Sequence, residues 1–154
     1  MFVEARLHRY IAVAIALATM STIAVLVAES PRGRVVVTET ETEILDVVAF
    51  EPGTATLRSS SFATLDAVAT TLCGNPSIQL IEVQSHTSGA GDEAANLTLT
   101  EQRAAVVMAY IVNAGVEPGR LVAEGYGDTQ PIDHAGSWKN ERVSFLILER
   151  SSDN

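Results

Sequence analysis

The residues best equipped for chemistry lie between His86 and Arg103, in the run HTSGAGDEAANLTLTEQR. Arginine carries a planar fork of N–H donors that can grip one carboxylate with two parallel hydrogen bonds. Gly89 and Gly91 permit positive φ, so the loop ahead of it can turn sharply and aim peptide N–H groups at an anion. Thr98 with Glu101 has the spacing of a capping box, and Thr100 is a second N-cap candidate. Either start puts Arg103 in about the first turn of a helix, where a cation opposes the macrodipole at a cost of about 0.3–1 kcal/mol. Arg103 therefore calls for an anion. Asp92, Glu93 or Glu101 could supply it as a surface ion pair worth about 0–1 kcal/mol; a carboxylate ligand is the functional alternative.

Catalysis finds little support. Ser85 and His86 are adjacent on a strand and point to opposite faces, so they cannot act as nucleophile and base. His8, His86 and His134 show no metal-ligand spacing, and no phosphate-binding or dinucleotide fingerprint occurs. The chain reads as a binding protein, not an enzyme, with no cofactor and no metal. Its single cysteine, Cys73, excludes an intramolecular disulfide, and its place beside Leu72 on a helical pattern reads as an inert buried thiol. A formal charge of −9 makes nucleic acid an unsuitable partner, because phosphates would be repelled.

The elements that must position Arg103 follow from periodicity. Ile44 to Phe50 reads as a first strand, followed by a Pro52/Gly53 loop and a serine run that offers an N-cap. Phe62, Leu65, Val68, Ala69 and Leu72 form a helical stripe that stops at Gly74 and Pro76. Ile78 to Ser85 reads as a half-buried strand, and Ala104, Val107, Met108 and Ile111 as the apolar face of a second helix closed by Gly115. Leu121 to Gly127 and Glu141 to Leu148 supply the last two strands. Strand, helix, strand, helix, strand, strand is an α/β arrangement, with helices packed on a sheet.

Ahead of this domain, Tyr10 to Ala28 carries no charge and is long enough to span a bilayer at about 1.5 Å per residue. Residues 1–28 therefore read as a signal peptide or a membrane anchor, one N-terminal hydrophobic helix, and 29–42 as a linker with strand character at Val35 to Val37. The domain takes 43–150, and 151–154 is a tail.

Three ordered blocks resemble the OmpA-like C-terminal, peptidoglycan-binding domain family. They are VVAFEPGTATL (Val47 to Leu57); HTS with Gly91, Asn96, Leu99, Thr100, Arg103 and Ala104; and EGYG (Glu124 to Gly127) with Pro131, Gly136 and NERV (Asn140 to Val143). The resemblance covers Thr42 to Arg150 and implies a βαβαββ sandwich, a mixed sheet with helices packed on it. It further implies non-covalent binding of the diaminopimelate of peptidoglycan stem peptides, on the periplasmic side of a Gram-negative cell envelope. Arg103 is then the carboxylate clamp, with Thr87, Asn96, Asn140 and Arg142 as supporting polar groups.

One departure matters. The family's aspartate for the ligand ammonium is here Ser88, which carries no charge; Asp92 and Glu93 in the same loop are the substitutes the sequence offers, Asp92 first. Ser137 and Glu141 also stand where the family often has basic residues. The alternative is thus a degenerate domain serving as an envelope scaffold or protein-interaction module; membrane attachment through the N-terminal helix if uncleaved, and a homodimer, remain open as partnerships. A flagellar stator subunit, which shares this layout, needs a carboxylate in its membrane helix, and Tyr10 to Ala28 has none.

Overall fold

The computed structural model describes residues 26–30, 33–37, 41–44 and 48–151. Its elements run β1 (Leu26–Ser30), β2 (Gly33–Val37), β3 (Glu41–Ile44), α1 (Phe62–Gly74), β4 (Ile78–His86), α2 (Glu93–Asn113), β5 (Leu121–Gly125) and β6 (Arg142–Arg150). The six strands form one mixed sheet in the order β1-β2-β3-β6-β4-β5. β4 lies parallel to β5 and antiparallel to β6, and β1, β2, β3 and β6 pair antiparallel in turn. A parallel neighbour requires a crossover, and α2 is that crossover between β4 and β5. The expected α/β order of the domain is what the chain adopts, but the first strand, expected at Ile44 to Phe50, is β3 at Glu41–Ile44, and of Val48 to Phe50 only Phe50 pairs, in an isolated bridge to Leu57.

The core forms where the helices meet the sheet. Leu65, Val68 and Leu72 of α1 and Ala104, Val107 and Ile111 of α2 are buried together with Ile81 and Val83 of β4 and Phe145 of β6. β4 changes phase near its start: Ile78 is buried, and then Ile81, Val83 and Ser85 continue one residue out of step. Register shifts against β6 between Ile78, Leu80 and Ile81 absorb the difference, so the second half keeps its apolar face inward. Arg120 closes the opposite end, donating to the carbonyls of Leu72, Asn75 and Ile78 and so satisfying the C-terminus of α1.

Four expectations from the sequence need amendment. Asp92 caps α2, accepting a hydrogen bond from Ala95 N at 2.9 Å, so the helix begins well before the Thr98–Glu101 pair. Ala94 and Ala95 are strong helix formers and extend it backwards. Arg103 consequently lies about three turns into α2 rather than at its entrance, and Thr98 and Thr100 donate to carbonyls of the preceding turn. Cys73 is exposed, because the buried arc of α1 takes in Thr64, Ala67 and Thr71 rather than the side beyond Leu72. Ser61 supplies no cap to α1; its hydroxyl instead exchanges hydrogen bonds with the N–H and C=O of Ala49, at 2.8 and 3.0 Å. Finally, residues 29–42, read as a linker, contain the end of β1, all of β2 and the start of β3, in keeping with the valine-rich Val35 to Val37.

The apolar run Tyr10 to Ala28 lies outside the described residues except for Leu26 to Ala28, which belong to β1. Among the described residues no helix is long and apolar enough to cross a membrane.

Gly125 fixes α2 on the sheet. A Cβ there would lie 2.2 Å from the backbone N of Glu101 and 2.7 Å from the backbone C of Thr100, so only glycine allows β5 to approach so closely. Two residues on, Gly127 N donates to Thr100 Oγ1 at 2.9 Å. Because the obstruction is backbone and not a flexible side chain, Gly125→Ala is expected to destabilise the domain by about 1–3 kcal/mol or more. Urea unfolding checks this, and an unchanged midpoint would contradict the packing.

Candidate functional site

α2 carries Arg103 inward against the sheet, so the side chain is almost wholly buried, with 2% of the residue exposed. Burying a guanidinium is costly unless its N–H groups are paired. Three parts of the chain supply that pairing. Nε donates to Thr54 O at 2.9 Å, Nη1 donates to Glu141 Oε1 at 2.8 Å, and the guanidinium carbon sits 4.8 Å from the centre of the Phe50 ring. Two donors of the fork are thereby used, leaving others for a guest.

Arg103 lines a cleft of about 340 Å³. Phe50, Pro52 and Arg58 come from the loop before α1, His86 from the end of β4, and Trp138, Glu141 and Arg142 from the approach to β6. The pairing His86↔Arg142 between β4 and β6 brings those two together. Among the described lining residues, three arginines, of which Arg58 is paired with Glu51, face one glutamate on a chain whose formal charge is −9. Such a concentration of cations in a concave surface favours an anion.

His86 is the unusual member. It is 1% exposed, and neither ring nitrogen has a hydrogen-bond partner among the described residues. Its ring stacks on Tyr126 at 5.2 Å between centroids, and Tyr126 is itself held by a 2.7 Å hydrogen bond to Glu82 Oε1. Burial, reinforced by the nearby Arg142 guanidinium, lowers the His86 pKa to about 4, so the ring is neutral at pH 7. The same carboxylate bond pushes the Tyr126 hydroxyl up to about 12.

Of the residues singled out in the sequence, Arg103 and Arg142 line the cleft and the others build the loops behind it. Asn140 is 1% exposed: its Oδ1 accepts from the N–H groups of Ile132 and Asp133, both at 2.9 Å, and its Nδ2 donates to His134 O at 3.1 Å. Its amide therefore organises the 132–140 loop. Asn96 does the same for the glycine loop, donating to Ala90 O at 3.0 Å. Asp92 is engaged as the cap of α2. Thr87 donates its N–H to Gly127 O at 2.7 Å while its buried hydroxyl has no partner, and Ser88 O accepts from Gly136 N at 2.9 Å. Gly89 and Gly91 take φ of 81° and 96°, as the loop requires.

Sequence reasoning missed Arg58, His86, Trp138 and Glu141 as cleft residues. Trp138 is 74% exposed at the rim. Glu141 left a trace in the sequence, as an acidic residue where the resemblance leads one to expect a basic one, and His86 another, at the head of the HTS block. Their convergence comes from strand pairing and loop packing, which local patterns do not encode.

The profile of the OmpA family matches residues 49–144. Outer membrane protein A of Bordetella avium is 37% identical over 75 residues, covering 46% of this chain and 39% of that protein. The peptidoglycan-binding protein ArfA of Mycobacterium bovis is 30% identical over 104 residues, covering 65% of this chain and 32% of that one. The chain thus spans well under half the length of these relatives. In three dimensions, the periplasmic domain of Helicobacter pylori MotB superposes with a TM-score of 0.64 at 20% identity, covering 87% of each chain, which shows a shared fold.

The depressed His86 pKa has a measurable consequence. An unfolded chain protonates this ring near 6.5 and the folded chain only near 4, so stability is expected to fall as pH drops through that window and to level off below it. The whole effect is about 3 kcal/mol. NMR titration of the imidazole protons checks the cause, and a His86 midpoint near 6.5 would contradict it.

Proposed function

We propose, from the premise that this chain belongs to the OmpA family, that its 43–150 domain binds peptidoglycan non-covalently on the periplasmic side of a Gram-negative envelope and tethers that envelope to the wall. The ligand is the stem peptide, at its diaminopimelate residue. Arg103 takes the carboxylate with the N–H donors that Thr54 and Glu141 leave over, and Arg142 adds a second cation at the lip. Thr87, Ser88, Asp92, Asn96 and Asn140 hold the surrounding loops in the shape that receives the peptide. The apolar residues ahead of β1, Tyr10 to Val25, serve as the export signal or the membrane attachment, since Leu26 to Ala28 at the end of that run belong to the sheet.

The observation that carries this reading is a buried arginine in the wall of a basic cleft, on a protein that is otherwise strongly acidic. Nothing in general solubility calls for that arrangement, because a charge meant only for the surface would stay in water at far lower cost. The name of the mycobacterial relative ArfA, a peptidoglycan-binding protein, points the same way.

A second reading is an envelope scaffold that keeps the fold without gripping the wall. Ser88 favours it by removing a charge, and so does Glu141, which already occupies one donor of Arg103.

Co-sedimentation with purified sacculi separates the two readings. Wild type is expected in the pellet, and Arg103→Gln, shown folded by circular dichroism, is expected to bind at least about tenfold more weakly, since a charge-assisted bond contributes about 1.5–3 kcal/mol. Equal retention of both proteins would favour the scaffold.

A further inference from the structure

We infer that Glu141 is the negative half of the recognition site, receiving the ammonium of a zwitterionic amino-acid centre whose carboxylate lies on Arg103. The inference rests on the reading that this cleft takes a wall stem peptide, and it adds the group that selects for a charged amine.

Among the described residues lining the cleft, Glu141 is the one carboxylate. Position 88 is a serine and does not line the cleft, and the Asp92 carboxylate is committed to the N-terminus of α2. Glu141 Oε1 lies 2.8 Å from Arg103 Nη1, yet its side chain is 53% exposed, and Oε2 accepts no hydrogen bond from the described residues. The second oxygen is thus open to a donor from outside. The trace of the backbone supports this position: Glu141 N is tied to Trp138 O at 3.1 Å, so the residue is held directly ahead of β6.

A fixed plus and minus side by side select between ligands by sign. A plain anion approaching Arg103 meets repulsion from Glu141, whereas a centre bearing both an ammonium and a carboxylate satisfies both groups at once. An independent observation also points to a polar guest. His86, in the same lining and 1% exposed, has two ring nitrogens without a partner among the described residues, and buried polar atoms are rarely left so unless something else meets them.

The test compares free diaminopimelate with pimelate, the same dicarboxylate without amines, as competitors of sacculus binding by wild type and by Glu141→Gln. Wild type is expected to prefer diaminopimelate by about tenfold, and Glu141→Gln to lose that preference through weaker binding of diaminopimelate alone. If Glu141→Gln binds diaminopimelate as tightly as wild type or more tightly, Glu141 is merely an internal competitor for Arg103 and the inference is overturned. Failure of wild type to bind sacculi at all would instead remove the underlying reading, so the two failures are distinct.

Discussion

A guanidinium withdrawn from water is the constraint from which the rest of this domain can be understood. Arg103 is 2% exposed, and its burial is tolerable only because a carbonyl, a carboxylate and an aromatic face converge on it. Those partners come from the loop after Phe50 and the turn before β6, far from α2 in sequence. Pairing Arg103 therefore ties the two loop regions that wall the cleft to the helix beneath them. Loss of the arginine would open the cleft as well as remove a charge.

The backbone behind Arg103 is fixed just as closely. Gly125 lets β5 run against α2 at a distance no side chain would allow, and Gly127 binds Thr100 on the same helix. From there Thr87 N reaches Gly127 O and Tyr126 N reaches Ser85 O, so the end of β4, the end of β5 and the start of the glycine loop form one hydrogen-bonded junction. His86 is placed at that junction with Tyr126 stacked on its ring. A rigid frame around a few incompletely satisfied polar groups is what preorganised recognition requires, since ordering costs are met on folding instead of on binding.

How much of this could be read in advance depended on the range of the interaction. The helical stripes at Leu65 to Leu72 and Ala104 to Ile111, the stop at Gly74 and the need for positive φ at Gly89 and Gly91 are local, and all appear in the fold. The start of α2 was harder, because Asp92, Thr98 and Thr100 are all competent caps and only the helical tendency of the alanines between them decides. Cys73 was misjudged because its neighbour Leu72 is buried, while the arc that faces the core lies on the opposite side of Leu72. Arg103 and Arg142 could be nominated through the family resemblance, but the ion pair with Glu141 and the orphaned ring of His86 arise from contacts across long sequence separations. Periodicity cannot reveal those.

The central claim is that the buried guanidinium is the group the ligand meets. Side-chain Nε–Hε NMR of arginine during titration with diaminopimelate tests it most directly. A saturable shift of the Arg103 resonance is expected, larger than those of Arg120 and Arg150, which lie outside the cleft lining. A silent Arg103 resonance while the protein still binds sacculi would contradict it.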